Sequence, residues 1–468
     1  MQIGLLITKG SFETIQDALL KYREDLAPSA CVYAICRSEY DEKGDVLHDF
    51  LDVIDFGVGL GLSYINTIVL PAHLRVKSNL PDNVTYIVWF AANVKAMFFD
   101  KDAIRESHIW KDVEWGHRAK NYNPKGKDPG NVWIPTEDDG RGNITKHILM
   151  DGKAVIHRLF DCSYQPSLTN LFVSDTGDDG AWAPKGLVFS FEGRPVMSEA
   201  FSDKLVGLNK MSSPKNNKPF GIIIWGSSED MSSVPNGSVD TVITSPPYWD
   251  LKDYFKKGQI GQESYKEYLS RLYKVWKGCY DKLSSHGTFW LNINIRVKNN
   301  KVILIPRDFV NQCKEIGFHY KGILIWHKSS GIPTHDKNIV DRHEYVLVFS
   351  KSPDLTLNRS ILSYKDYSND DMNGGLFWNI NRKAGSVGKH YIHPAIYPND
   401  LVARIVQCAS SEGDIVLDPF LGSGTTLIAS VLESRSCYGF EYNEGFKDLI
   451  LSRIRTDIGS SVDFDLTI

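Results

Sequence analysis

Cysteine is sparse and unpatterned in this sequence. Its seven cysteines (Cys31, Cys36, Cys162, Cys279, Cys313, Cys408 and Cys437) include no CxxC pair, and no histidine cluster has zinc-ligand spacing. A disulfide scaffold is excluded, no metal is expected, and a reduced, cytoplasmic setting is the expectation. A polycationic balance is missing as well: 53 Lys and Arg stand against 57 Asp and Glu, a net charge of −4. Any nucleic acid would have to be met by a local patch or groove. Long apolar runs are absent too. The most apolar one, Phe56 to Ala72, holds three glycines with Ser63, Asn66 and Thr67, and falls short of the roughly 20 residues a spanning helix needs. MQIGLLITKG lacks a basic region followed by a long apolar stretch, so neither a secretory signal nor a membrane partner is expected.

What is present is folding material. With 468 residues, 42% of them hydrophobic, and 11 Trp, 21 Tyr and 22 Phe, the chain has enough for two or three domains with buried cores. The polar stretch around 203–220, rich in Lys, Asn, Ser and Pro, divides the sequence. The boundaries expected are a first domain over 1–205, a linker over 206–219 and a second domain over 220–468. Beyond the linker, strand-like runs (GIIIW at 221, SVDTVIT at 238, GTFWLNIN at 287, GILIW at 322, HEYVLVFSK at 343, DIVLDPF at 414, CYGFEY at 437) alternate with helical patterns. That rhythm predicts an α/β fold, a Rossmann-like, doubly wound and mostly parallel sheet.

The first half echoes the second. SFETIQDALLKYREDLAPSACVYAI at 11 lies on SYKEYLSRLYKVWKGCYDKLSSHGTFWLNI at 264, and DFLDVIDFGVGLGLSYINTIVL at 49 on DFVNQCKEIGFHYKGILIW at 308. VTYIVWFAAN at 84 falls on HEYVLVFSKS at 343, and DPGNVW at 128 on NGGLFW at 373. Order, spacing and aromatic placement favour a diverged duplicate over the shared rhythm of any two α/β segments. On this alignment the first half begins just past the counterpart of the first motif described below and carries neither motif. The glycine run Asp55 to Gly61 is expected at a helix end rather than in a ligand loop.

Two motifs in the second half carry chemistry. Thr244-Ser245-Pro246-Pro247-Tyr248-Trp249-Asp250 follows the strand SVDTVI. Adjacent prolines fix two φ angles and remove two N–H groups, so the turn presents oxygens without competing donors, followed by an aromatic ring. The second, Asp418-Pro419-Phe420-Leu421-Gly422-Ser423-Gly424-Thr425-Thr426, follows IVL and opens a helix. Its glycines allow close backbone approach to a ligand over a helix N-terminus. Glu441, at the end of the next strand, is placed to accept both hydroxyls of a ribose.

The identity and order of these motifs resemble the amino-methyltransferases of DNA, in the β-type arrangement with SPPY ahead of FxGxG. The resemblance spans about Phe220 to Ile454, and LIWHK at 324, RHEYVLVFSK at 342 and FWNI at 377 look like the segments that family places between its motifs. It implies S-adenosylmethionine as methyl donor, a flipped-out base in double-stranded DNA as substrate, and work in restriction–modification or phage defence beside a cognate restriction endonuclease. Ser245 Oγ and the Pro246 carbonyl would accept hydrogens of an exocyclic amine, and Tyr248 would stack on the extruded base. Asp418 would meet the methionine ammonium, Phe420 the adenine or the methionine chain, and Gly422, Ser423, Gly424 and Thr425 the backbone approach. Asn399 and, more weakly, His393 lie where the family's remaining methionine-binding segment falls. No cysteine follows a proline, so a thiolate for ring-carbon methylation is not offered. Ser at the first motif position resembles cytosine-N4 enzymes; adenine N6 is the alternative, and a non-catalytic DNA-binding scaffold a third reading.

DNA contact is expected from an insertion over about 296–395. From Arg296 to Asp354, Lys and Arg outnumber Asp and Glu by ten to six. Lys328, Lys337 and Arg342, in or beside the loop HKSSGIPTHDKN, are its candidate contacts. The first half is expected to pack on the second as an internal pseudo-dimer partner.

Overall fold

A computed structural model describes residues 1–75, 80–106, 123, 125–134, 136–138, 144–147, 149–192, 218–251, 256–299, 301–328, 337–362, 375–380 and 398–468. His393, most of the linker and the loop 329–336 lie outside these. The first half contributes β1 (Ile3–Lys9), α1 (Phe12–Tyr22), β2 (Leu26–Cys36), α2 (Phe50–Gly59), β3 (Ser63–Arg75), β4 (Asp82–Ala91), α3 (Gly152–Ser163), β5 (Thr169–Ser174) and β6 (Val188–Phe191). The second contributes β7 (Phe220–Trp225), β8 (Val239–Thr244), α4 (Tyr265–Lys282), β9 (Leu283–Ile293), the hairpin β10 (Arg296–Lys298) and β11 (Lys301–Ile303), and α5 (Ile305–Ile316). It continues with β12 (His319–His327), β13 (His343–Ser350), β14 (Phe377–Asn379), α6 (Asn399–Ala409), β15 (Ile415–Asp418), α7 (Thr425–Leu432), β16 (Ser436–Glu441), α8 (Lys447–Arg453) and β17 (Asp465–Thr467).

Local chemistry places the helices that carry the sheets. Ser264 and Glu267 form a reciprocal capping box that starts α4, satisfying two orphan donors. Asp49 and Asp52 do the same for α2. The glycine run expected at a helix end is there: α2 stops at Gly59, and β3 follows from Ser63.

The second sheet runs β14-β12-β13-β9-β8-β15-β16-β7-β17 and is parallel throughout except for β13, which is antiparallel to both neighbours. All eight residues of β13 are buried, as a strand covered on both faces requires. The fold is thus the expected α/β sheet, with one reversed strand.

The first sheet runs β6-β5-β1-β2-β4-β3, which repeats β16-β15-β8-β9-β13-β12 strand for strand. Register makes the correspondence residue-specific. Leu5 pairs with Cys31, which pairs with Ala91; Thr241 pairs with Thr288, which pairs with Ser350. Thr8-Lys9-Gly10-Ser11-Phe12 therefore stands where Thr244-Ser245-Pro246-Pro247-Tyr248 stands, so the first half begins before that motif's position, not after it. By the same register Phe191, opposite Ser174, occupies the place of Glu441. The short parallel bridge of Val69 to Val132 matches that of Ile325 to Phe377.

The halves share one core. Phe50 stacks on Tyr86 of its own half at 4.3 Å and meets Tyr345 of the other at 5.1 Å between centroids. Around this contact, Tyr320 donates its hydroxyl to Asp49 Oδ2 at 2.7 Å, and the buried Lys321 pairs with Asp45 at 2.5 Å. Among the described residues no helix is long and apolar enough to cross a membrane, and all seven cysteines are buried and free.

Candidate active site

Strand β8 delivers the first motif to the end of the sheet, and its last residue is locked there. Thr244 Oγ1 donates to Asp418 Oδ1 at 2.7 Å. Beyond it, Tyr268 from α4 donates its hydroxyl to the Pro247 carbonyl at 2.6 Å, which engages one oxygen of the proline pair. Tyr248 donates its own hydroxyl to Glu344 Oε2 at 3.0 Å. Asn292, at the end of β9, sends its amide to Glu344 Oε2 (3.0 Å), Tyr248 Oη (3.1 Å) and Ser245 Oγ (3.5 Å). Glu344 is held in turn by Lys328 Nζ at 2.8 Å, both residues being buried. A buried ion pair thus anchors the hydroxyl end of Tyr248.

The second motif folds round Asp418. Its carboxylate is fully buried and accepts from Thr244, from Thr426 Oγ1 (2.6 Å) and from the Phe420 N–H (2.9 Å). It is not among the residues that line the cleft described next. Gly422 and Gly424 have φ of 57° and 83°, left-handed values that only glycine adopts cheaply, and Gly424 caps α7. The Gly422 N–H donates to Glu441 Oε2 at 2.8 Å and the Asn443 N–H to Oε1 at 2.7 Å. Burial pushes the Glu441 carboxyl up to about 7, against these hydrogen bonds, which pull it down. Arg453 Nη1 reaches Ser423 Oγ (2.8 Å) and Thr425 Oγ1 (2.7 Å), and its Nη2 reaches Asn399 Oδ1 (2.9 Å). One buried guanidinium therefore ties the loop to α6.

Both motifs open on one cleft, partly open to solvent. Ser245, Pro247, Pro419, Phe420, Gly422, Ser423 and Glu441 line it, with Gly226, Ser227 and Ser228 from the end of β7, and Lys256, Arg271 and Tyr442. Pro246, Tyr248, Gly424, Thr425 and Asn399 stand behind or beside this lining. Asn292, Glu344 and Arg453 escaped the sequence reading because their partners in the site are 16 to 96 residues away and no spacing links them.

Two of the three expected DNA contacts, Lys328 and Arg342, are buried and need correction. Lys328 is spent on Glu344. Arg342 is also buried, pairing with Glu106 at 3.3 Å and donating to the Asp128 carbonyl at 3.0 Å, so it joins the two halves. Lys337 is exposed, and its ammonium donates to the Lys95 carbonyl at 2.8 Å. Among the described residues no group of three His, Cys, Asp or Glu could hold a metal.

Residues 239–452 match the family model described as DNA methylase. The chain is 28% identical over 253 residues to the type II methyltransferase M.Cfr9I of Citrobacter freundii, covering 47% of this chain and 83% of that one. It is 29% identical over 266 residues to M.SmaI of Serratia marcescens, covering 50% and 90%. The solved PvuII DNA methyltransferase (cytosine-N4-specific) aligns with 56% of this chain and 99% of its own at 20% identity, with a TM-score of 0.43. Over residues 239–452, in its second half, this chain is thus similar to DNA methylases.

Proposed function

We propose that this protein transfers a methyl group from S-adenosylmethionine to the exocyclic N4 amine of a cytosine extruded from duplex DNA, within a restriction–modification or defence system. One observation carries the reading: the oxygen-presenting Ser245-Pro246-Pro247 turn and the Gly422–Glu441 floor open on the same cleft. The residues present fit the cofactor. Glu441 lines the cleft, so its carboxylate is offered to ribose hydroxyls as well as to the Gly422 and Asn443 N–H groups. A Cβ added to Gly226 would meet nothing within 4 Å, leaving room against the backbone, and Phe420, Ile260 and Phe440 offer an apolar wall.

When bound, the sulfonium supplies an electrophilic methyl group. The protein's part is to orient and to dry the site. An aromatic amine is a weak nucleophile because its lone pair is delocalised into the ring. Ser245 Oγ and the Pro246 carbonyl accept its hydrogens and localise that pair, while Tyr248 holds the ring plane from an anchor fixed by Glu344. Alignment and water exclusion then account for most of the rate. Ser245 favours cytosine N4; adenine N6 is the second reading, with the same geometry.

Mass spectrometry of nucleosides from mixed-sequence DNA incubated with protein and S-adenosylmethionine tests the reading, beside Tyr248→Ala. N4-methylcytosine missing from the control supports it; N6-methyladenine moves the base and keeps the mechanism. The absence of any methylated nucleoside, with cofactor binding intact, overturns it. The first half we read as a diverged duplicate serving as an internal partner, supported by the repeated strand order. A chain starting near Pro219 that stayed soluble and equally active and selective would remove that role.

A further inference from the structure

We propose that Leu251 is a wedge that enters the duplex as the target base leaves it; the proposal rests on the base-extruding function above. Residues Tyr248 to Leu251 form a turn closed by the Leu251 N–H on the Tyr248 carbonyl at 3.2 Å. Its first three side chains are tied inward. Tyr248 is held by Glu344. Trp249 has a φ of 50°, a conformation that is a true outlier for a bulky residue and persists only where the surroundings enforce it. Its indole N–H donates to the Glu263 carbonyl at 2.9 Å, and its ring packs edge-on against Tyr265. Asp250 is clamped by Arg296 at 2.7 Å and by Lys298, both on the hairpin strand β10.

Leu251 is the outlying member, an apolar side chain 51% exposed, three residues from the ring that would stack on the base. An exposed leucine by itself means little. One mounted on a strained and clamped turn directly after the Ser245-Pro246-Pro247-Tyr248 motif is different, because extrusion leaves a gap in the stack, and apolar side chains such as leucine fill or pry open such gaps. The hairpin supplies the complementary charge. Lys298, its side chain 40% exposed, lies over the Trp249 ring at 4.7 Å, and Lys301 pairs opposite it on β11. The partner this surface fits is therefore duplex DNA with its target base still paired, Lys298 and Lys301 facing phosphates while Leu251 faces the base step.

The test compares the full chain with Leu251→Ala and Leu251→Met in single-turnover methylation. The substrate is a duplex carrying a site the wild type methylates, with the target base paired or opposite an abasic residue. Leu251→Ala is expected to lose about 10- to 100-fold on the paired target and less than about threefold on the unpaired one, since unpairing removes the cost the wedge meets. Leu251→Met is expected to recover most of the rate, with cofactor affinity unchanged in both variants. Equal loss on both substrates, or no loss on either, overturns the wedge while methylation by the wild type keeps the base-modifying reading standing. A wild type that methylates no DNA removes both.

Discussion

Tyr248 and Glu344 are joined by a 3.0 Å hydrogen bond, and it links the Tyr248 ring to the buried ion pair of Glu344 with Lys328. Glu344 Oε2 also takes the Asn292 amide, and its Oε1 takes Lys328. Removing one charge of a buried pair leaves the other uncompensated, at a cost of about 3–5 kcal/mol. Glu344→Gln and Lys328→Met should each lower the melting temperature and slow methyl transfer without changing cofactor affinity. The double variant, which removes both charges and keeps an acceptor for Tyr248, should regain much of the stability. Denaturant unfolding of the two singles and the double checks this; additive losses would contradict the pairing.

Lysines at the DNA face and inside the protein should separate by salt. Each phosphate contact contributes about −0.9 to the slope of log affinity against log salt. Lys298→Ala should flatten that slope by about one contact, and Lys328→Met should leave it unchanged despite losing stability. Binding of a fluorescent duplex between 50 and 200 mM salt distinguishes them, and a shallower slope for Lys328→Met would return that lysine to the DNA face.

The halves should unfold together. Lys321 is 2% exposed, and its ammonium is held by Asp45 from the other half and by the Pro353 carbonyl at 2.6 Å. Asp45→Ala strips the carboxylate from this cation and from His319, and should cost about 3 kcal/mol, at the lower end for a broken buried pair because carbonyl acceptors remain. Because Phe50 and Tyr345 belong to one core, that loss should shift a single calorimetric transition. Two well-separated transitions, only one of them shifted, would show that the core is not shared.

Much of this architecture was legible in the residues. The helix and strand order came through because apolar periodicity and capping pairs such as Ser264 and Glu267 are local. The two motifs were legible because Pro-Pro and Gly-x-Gly constrain the backbone wherever they occur. The start of the first half was misplaced because TKGSF shares with TSPPY only its threonine and an aromatic, and only strand register equates them. The basic excess after Arg296 misled in part, since counting cations does not reveal which of them face a carboxylate. Lys328 meets Glu344 only because β12 and β13 run antiparallel with His327 opposite His343, and Arg342 meets Glu106 only because the halves pack together.

Glu441 should couple cofactor binding to pH with a sign opposite to its effect on stability. Burial raises its carboxyl from 4.5 to about 7 in the folded protein, whereas the unfolded chain keeps a value of about 4.3. Between these limits the folded state binds the proton more tightly, so this group's contribution to stability falls as pH rises from about 4.5 through 7. A ribose hydroxyl needs the ionised acceptor, so affinity for S-adenosylmethionine should rise over the upper part of that window and level off above about pH 8. Glu441→Gln cannot ionise, and with an amide in place of one oxygen it cannot accept both the Gly422 and Asn443 N–H groups. It should also lose the pH slope in both properties. Calorimetric titration of the cofactor and denaturant unfolding of the free protein, each from pH 5.5 to 8.5, provide the check. A wild-type affinity that stays flat across pH 7 would mean that Glu441 ionises normally or does not touch the ribose, and the variant's slope in unfolding separates those two outcomes.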